Sequence, residues 1–342
     1  MKNKRRGLQT VELQNPPKII ASSTTVGPKE GMGPLSEYFD TILEDDKNGK
    51  ETFEQAESSI MYSTIKDSIR KANLSETDIN YLFAGDLLNQ LTSTNFVARE
   101  LDIPFFGLYG ACSTMAESLG LASLIMDGGF AKYVVASTSS HFSAAERQFR
   151  FPLEYGSQRP ETAQWTVTGA GAMVLANEGN FPKITHVTTG VVKDYGIKDA
   201  GNMGAAMAPA AVDTICRNFK DLGRGPEDYD IIATGDLGKF GKQLTQRLMM
   251  EYGYDMSKCY IDCGEIIYDN EKQKTNSGGS GCGCSAVIAC GYLYKKLMAG
   301  EIKRVFLVST GALMSNTSSL QGESIPGIAH GVVIEYDKEG VM

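Results

Sequence analysis

Residues 110–141 read GACSTMAESLGLASLIMDGGFAKYVVASTSSH, and residues 282–313 read CGCSAVIACGYLYKKLMAGEIKRVFLVSTGAL. The two stretches align without a gap at a constant offset of 172. Cys112-Ser113 falls on Cys284-Ser285, Gly128 on Gly300, Lys132 on Arg304, and Ser137-Thr138 on Ser309-Thr310. Over residues 114–126, Met115, Leu119, Ala122 and Ile125 form one stripe, and nearly every other residue is apolar or small. A helix of that composition is expected to be buried on several faces. The short apolar runs at residues 133–136 and 305–308 suit central strands.

A second match precedes each copy. AGDLLNQ (84–90) resembles TGDLGKF (234–240), with Gly85-Asp86-Leu87 on Gly235-Asp236-Leu237. Residues 81–84 and 231–233 are apolar and read as strands. Upstream lie helix-like stretches at 58–72, with Met61, Ile65, Ile69 and Ala72 in phase, and at 210–219. Acidic segments follow them, Ser75-Glu76-Thr77-Asp78 and Pro226-Glu227-Asp228. The closing strands, GAGAMVLANEG (169–179) and AHGVVIEYDKEG (329–340), match more weakly. Ordered matches of this kind mark an internal duplication. The expected architecture is α/β with two half-domains, residues 1–180 and 181–342. Each half reads helix, strand, nucleophile-type loop, helix, strand, strand. The two apolar helices would pack between two sheets, giving a layered αβαβα arrangement about a pseudo-twofold axis.

The chain has 342 residues, 42% hydrophobic and 22% charged, with a net charge of −8. This is ordinary globular composition, and the negative charge argues against a nucleic-acid or anionic-membrane partner. The 37 glycines follow no collagen period. Residues 1–9 are basic, but no apolar stretch follows, so no secretory signal is expected, and no window suits a membrane span. Seven scattered cysteines, an odd number, fit a reducing compartment. There is no C-x-x-C pair, and His141, His186 and His330 lie far apart, so no zinc site is expected. No phosphate-binding glycine motif is present, and no cofactor is expected.

The Gly110-Ala111-Cys112-Ser113 turn, between a strand and a buried helix and inside a duplicated unit, resembles the nucleophile loop of the ketoacyl-carrier-protein synthases of the thiolase superfamily. A cysteine at a helix N-terminus faces free amides and the positive dipole end, which is expected to lower its pKa. The partners depart from the pattern. The resemblance implies a His after the strand at residues 229–234, where Thr234-Gly235-Asp236-Leu237 stands. It implies an Asn or His in the loop Gly278-Gly279-Ser280-Gly281-Cys282-Gly283-Cys284, which has neither, although Asn276 is nearby. The second thiolase cysteine would follow the last central strand, where Ser309-Thr310-Gly311 stands, and His330 opens the final strand, where the superfamily keeps no base. The expectation is a thiolase-like pocket in which Cys112 is a vestigial nucleophile and the Claisen machinery is missing.

Along its whole length the chain also resembles the stage V sporulation protein AD family of endospore-forming bacteria. The stretches that carry this are Gly27-Pro28-Lys29-Glu30, Ala84 to Gln90, Gly110 to Thr114, Ala145 to Gly156, Met207-Ala208-Pro209-Ala210-Ala211, Gly278 to Cys282, and Ile328 to Val333. The resemblance implies a non-catalytic protein that binds dipicolinic acid (pyridine-2,6-dicarboxylate), which calcium can accompany. It further implies a part in uptake of that acid into the developing spore, with membrane proteins of the same operon. The implied location is peripheral, at the inner spore membrane. Thiolase-like chains pair through edge strands of the first half, so a homodimer is expected.

A flat dicarboxylate asks for cationic or N–H donors and a partly apolar slot. The candidate ligand-binding residues are Asp86, Asn89, Cys112, Ser113, His141 and Arg147, with Arg150 beyond them and Phe142, Phe149 and Phe151 as walls. Asp86 would repel the ligand unless protonated or bridged by a cation. Other readings of the same residues stand beside these. Arg147 and Arg150 suit a solvated helix face or pairs with Glu146 and Glu154. His141 suits a satisfied structural histidine, and Asp86 and Asp236 suit symmetric turn caps. The glycines around Cys282 and Cys284 suit close packing between the halves. Two further functions remain open: acyl transfer by Cys112 with a partner such as His141, and a ligand-free adaptor for membrane subunits.

Overall fold

Each half of the chain carries its repeat on a five-stranded unit. The computed structural model describes residues 4–149 and 159–338; Arg150, Phe151 and the motif through Gly156 lie outside the described residues. The first half runs β1 (Lys18–Val26), α1 (Phe53–Lys71), β2 (Tyr81–Gly85), α2 (Thr92–Leu101), β3 (Phe105–Gly107), α3 (Thr114–Asp127), β4 (Tyr133–Ser140), α4 (Phe142–Phe149) and β5 (Gly169–Ala176). The second runs β6 (Lys183–Thr188), α5 (Met203–Leu222), β7 (Ile231–Thr234), α6 (Gly238–Glu251), β8 (Tyr260–Asp262), α7 (Cys282–Val287), β9 (Arg304–Ala312) and β10 (Gly327–Glu335). Beyond Val287 the helix continues through a π-helical stretch, Ile288–Leu293, to Tyr294–Ala299.

The expected six-element order is therefore incomplete. Each half also has a leading strand, β1 or β6, and a helix with an edge strand, α2–β3 or α6–β8. The leading strand was hidden because Ser22, Ser23, Thr24 and Thr25 break its apolar pattern although all four are buried. Three of their hydroxyls find partners inside: Ser22 Oγ donates to the Cys290 carbonyl (2.7 Å), Thr24 Oγ1 to Asp40 Oδ2 (3.3 Å), and Thr25 Oγ1 accepts from Thr64 Oγ1 (2.8 Å). The outer helices begin earlier than their apolar stripes. Phe53 starts α1 because Thr52 and Gln55 form a capping box. Met203 starts α5 because Asn202 accepts from the Ala205 amide (3.3 Å). His330 lies inside β10, which begins at Gly327.

The strand order is β8-β7-β9-β10-β6-β1-β5-β4-β2-β3, and its two halves mirror each other in order and direction. In each, the leading and closing strands pair antiparallel and the last three run parallel. Between β1 and β6 the pairing is the single Lys18–Lys183 step, so the two expected sheets are joined at one corner into a single hydrogen-bonded surface. Helices α1 and α2 cover one outer face, and α5 and α6 the other. Helices α3 and α7 lie in the middle layer. Met115, Leu119, Ala122, Val287 and Ile288 share that central core. Each such buried large side chain contributes about 1.5–3 kcal/mol.

The middle layer is close because glycine lines it. A Cβ on Gly283 would stand 2.5 Å from Ser140 Oγ and 2.7 Å from the Gly169 carbonyl, which bears out the packing role read for this loop. Cys284, the repeat mate of Cys112, is buried in the central core. All seven cysteines are unpaired, and among the described residues no helix is long and apolar enough to cross a membrane.

Candidate functional site

The turn that carries Cys112 is held by its own hydroxyls. Ala111 sits at φ 51°, in the left-handed region that a side chain other than glycine's rarely occupies. Ser113 Oγ donates to the Gly110 carbonyl (2.7 Å) and Thr114 Oγ1 to the Ala111 carbonyl (2.7 Å), and α3 starts directly after. Strain of this kind persists only where the surroundings impose it. Here β9 closes against the turn: a Cβ on Gly311 would lie 2.3 Å from the Gly110 carbonyl.

The thiol meets an acid from the other half. Asp236, just beyond the end of β7, is fully buried, and its carboxylate faces the Cys112 thiol. Asp236 Oδ2 accepts from the Gly281 amide (2.9 Å) and Ser280 Oγ (3.1 Å), and Oδ1 from Thr310 Oγ1 (2.8 Å). Burial, then the facing Asp236 charge, pushes the Cys112 pKa well above the thiol range. This corrects the expected depression by the helix dipole. A helix terminus offers about 0.3–1 kcal/mol, which desolvation beside a carboxylate exceeds. The thiol therefore stays protonated at neutral pH.

Beside Cys112 opens a cavity of about 620 Å³. Its walls include Phe142, Phe149, Arg147, Arg159, Gln164 and Ser280. Phe142 stacks on Trp165 with ring centroids 3.9 Å apart and planes 8° apart. The Arg159 guanidinium lies 4.7 Å from the Trp165 ring and 5.2 Å from the Phe142 ring. Its Nη2 pairs with Glu146 Oε2 at 3.0 Å and its Nη1 donates to the Gln164 carbonyl (2.8 Å). Gln164 Nε2 donates in turn to the carbonyls of Asp236 and Gly279 (both 2.7 Å), tying the cation's anchor to the loops around the thiol. Arg147 pairs with Glu54 of α1.

Of the candidate residues, the structure brings Cys112 and Arg147 to the cavity wall. The other four make structural contacts. Asp86 caps the following turn and α2: Oδ1 accepts from the Leu88 amide (2.7 Å), and Oδ2 from the Thr94 amide (2.7 Å) and Oγ1 (2.5 Å). Asn89 is bonded to Gln148 through its amide and side chain (2.9 and 3.2 Å). Ser113 holds the elbow as described. His141 is fully buried, with Nε2 2.7 Å from the Asp46 carbonyl and Nδ1 accepting from the Ser143 amide, and burial lowers its pKa. Asn276 donates to the carbonyls of Arg159 and Pro160 (3.4 and 2.9 Å), away from the thiol. Glu146 and Arg147, neighbours on α4, pair across the fold with Arg159 and Glu54, not with each other.

The symmetric capping read for Asp86 and Asp236 also fails. In the second half the capping work falls to Asp262, whose Oδ2 accepts from the Leu237 amide (2.9 Å) and Oδ1 from the Gly238 amide (2.9 Å). That frees Asp236 to face the thiol. Arg159 escaped the sequence reading, although a long cation six residues before the single tryptophan was a usable signal for a cation–π contact.

Layers, duplicated strand order and a cysteine elbow at the start of a buried helix define a thiolase-like protein. The fold is similar to that of 3-oxoacyl-[acyl-carrier-protein] synthase III from Aquifex aeolicus (14% identical, TM-score 0.57, covering 94% of this chain and 100% of that one). It is likewise similar to a variant of OleA from Xanthomonas campestris (15% identical, TM-score 0.61, 95% and 98% covered). More specifically, the model of the stage V sporulation protein AD (SpoVAD) family matches residues 7–335, and the chain belongs to that family. Stage V sporulation protein AD of Bacillus subtilis is 47% identical over 329 residues, 96% of this chain and 97% of that protein.

Proposed function

We propose that this chain is a non-catalytic thiolase-like protein that binds dipicolinic acid in the cavity beside Cys112 and supports its uptake into the developing spore. Membrane proteins of the same sporulation operon are its proposed partners, with the chain peripheral at the inner spore membrane and paired as a homodimer. The observation that carries the reading is the buried Asp236 that faces Cys112. An aspartate occupies the place where the superfamily resemblance implies a histidine, and a protonated thiol is a poor nucleophile. What remains is a binding cavity. Arg147 and Arg159 on its wall suit two carboxylates, and the Phe142 and Phe149 rings beside them suit a flat ring. Both guanidiniums already hold carboxylates, Glu54 and Glu146, but five donors let an arginine take a second acceptor.

The test is calorimetry on the purified chain at fixed salt. Dipicolinate binds with an affinity near micromolar, about −8 kcal/mol, if each carboxylate gains a cationic hydrogen bond. Picolinate, with one carboxylate, binds at least tenfold more weakly. Arg159→Ala and Arg147→Ala each cost tenfold or more, Cys112→Ala costs little, and Cys112→Trp blocks the slot. Equal affinity for the two acids, or unchanged binding in Cys112→Trp, refutes the reading. A second reading, acyl transfer by Cys112, rests on the strained Ala111 elbow, which a purely structural cysteine does not need.

A further inference from the structure

A second concavity, of about 290 Å³, lies on the opposite class of surface: the outer helical layer of the second half. Helices α5 and α6 form its sides, with Val212 and Leu248 among the lining residues, and Lys193 and Tyr195 come from the β6–α5 connection. The site is distinct from the Cys112 cavity and does not depend on what fills that cavity.

Its charge runs against that of the chain. Lys193, Arg217 and Lys220 line it, facing one acid, Asp213, on a protein of net charge −8. Lys193 is paired with Asp213 at 2.8 Å. The other nearby acid, Asp221, is turned to the N-terminal segment, where it accepts from the amides of Leu8, Gln9 and Thr10 (3.2, 3.0 and 3.0 Å). Arg217 Nε donates to a neutral group, Gln9 Oε1 (2.9 Å). The Lys220 ammonium lies 5.8 Å from the Tyr252 ring. Among the described residues neither Arg217 nor Lys220 has an ion-pair partner. The N-terminal segment thus takes up an acid that would otherwise neutralise the groove.

Large side chains flank these cations in the open. Tyr195 is 72% and Tyr252 58% exposed, and Val191 and Val192 precede Lys193 in the chain, also exposed. The connection that presents them is pinned. The Lys193 amide donates to the Gly327 carbonyl (2.8 Å), Asp194 accepts from Ser324 Oγ (2.5 Å), and Lys198 Nζ donates to the Gly322 carbonyl (2.7 Å). A groove that needs little ordering on binding loses little entropy there. Unpaired cations beside exposed tyrosines form a centre fit for carboxylates that flank an apolar anchor.

We propose that the groove between α5 and α6 docks an acidic segment of a partner polypeptide, with carboxylates on Arg217 and Lys220 and a large apolar side chain between Tyr195 and Tyr252. The test places p-benzoylphenylalanine at position 252, and separately at 195, in the full-length chain. The purified protein is irradiated with membranes from sporulating cells, and adducts are mapped by mass spectrometry. The expected adduct lies on another polypeptide, in a segment holding at least two Asp or Glu residues. Its yield falls tenfold or more in Lys220→Glu and Arg217→Glu, less in Lys220→Gln, and falls when NaCl rises from 50 to 300 mM, while the melting temperature of each variant stays that of the parent. Lysines placed at the mapped carboxylates restore the yield with Lys220→Glu. Adducts only on lipid, on a second copy of the chain or on a segment without carboxylates overturn the proposal. So does the absence of any adduct from both positions, or a yield indifferent to Lys220→Glu.

Discussion

Replacing Asp236 by Asn removes the acid that faces Cys112 while keeping its shape. The carboxylate receives the Gly281 amide and Ser280 Oγ on one oxygen and Thr310 Oγ1 on the other. An amide keeps one acceptor oxygen and turns the other into a donor. If the oxygen stays with the rigid Gly281 amide, the Thr310 hydroxyl faces N–H, and it already accepts from the Asp236 backbone amide (3.0 Å). The Thr310 proton then loses its acceptor. A buried donor left unsatisfied costs about 1–3 kcal/mol, and the lighter desolvation of a neutral amide offsets part, so the net loss is about 1–2 kcal/mol. Urea unfolding at pH 7 reads this directly. Alkylation by iodoacetamide, followed peptide by peptide, supplies the second readout. Cys112 in the parent reacts far more slowly than free cysteine, and the variant reacts faster because the charge holding the thiol protonated is gone. A variant within about 0.5 kcal/mol of the parent, or a parent Cys112 that alkylates like free cysteine, refutes the argument.

Burial raises the Asp262 carboxyl from 3.8 to about 7, so the folded state binds a proton that the unfolded state has lost between those values, and this group's stabilisation is lost as pH rises through that window. Glu30, raised to about 7, acts in the same sense, and His186 and His330, held down to about 4, act with the opposite sign between there and their ordinary value. The difference between Asp262→Asn and the parent isolates the acid: it shifts in the variant's favour by about 1.4 kcal/mol per pH unit between pH 5 and 7, and a constant difference contradicts the assignment. Pairing is expected at β3, the first-half edge, where Phe106 is 49% exposed, whereas Tyr260 on the opposite edge strand is buried. Sedimentation at micromolar concentration is expected to give a dimer for the parent and a monomer for Phe106→Asp; a monomeric parent removes the proposal. Incubation with acyl-coenzyme A is expected to release no free coenzyme A above background, and release abolished by Cys112→Ala would establish acyl transfer instead.

The repeat at 110–141 and 282–313 was enough to determine the class of fold, because a helix as apolar as α3 has nowhere to go but between two covered surfaces, and a duplicated one brings its own partner layer. The resemblance to the SpoVAD family was likewise legible in the linear motifs. Sequence periodicity failed where burial is polar, as in β1, where Thr25 finds its partner on α1 and Ser22 on the π-helical stretch far along the chain. It failed again at the site. Asp86 and Asp236 share one local motif, Gly-Asp-Leu, and nothing local separates a cap from a partner of the thiol. Only the tertiary structure decided, by letting Asp262 take the capping bonds in one half while no such residue relieves Asp86 in the other. Cys112 shows the same limit. Its position at a helix start was visible and argued for a reactive thiolate. Its pKa is set instead by desolvation and by a carboxylate about 120 residues away in sequence, contributions that act through space and leave no trace in spacing.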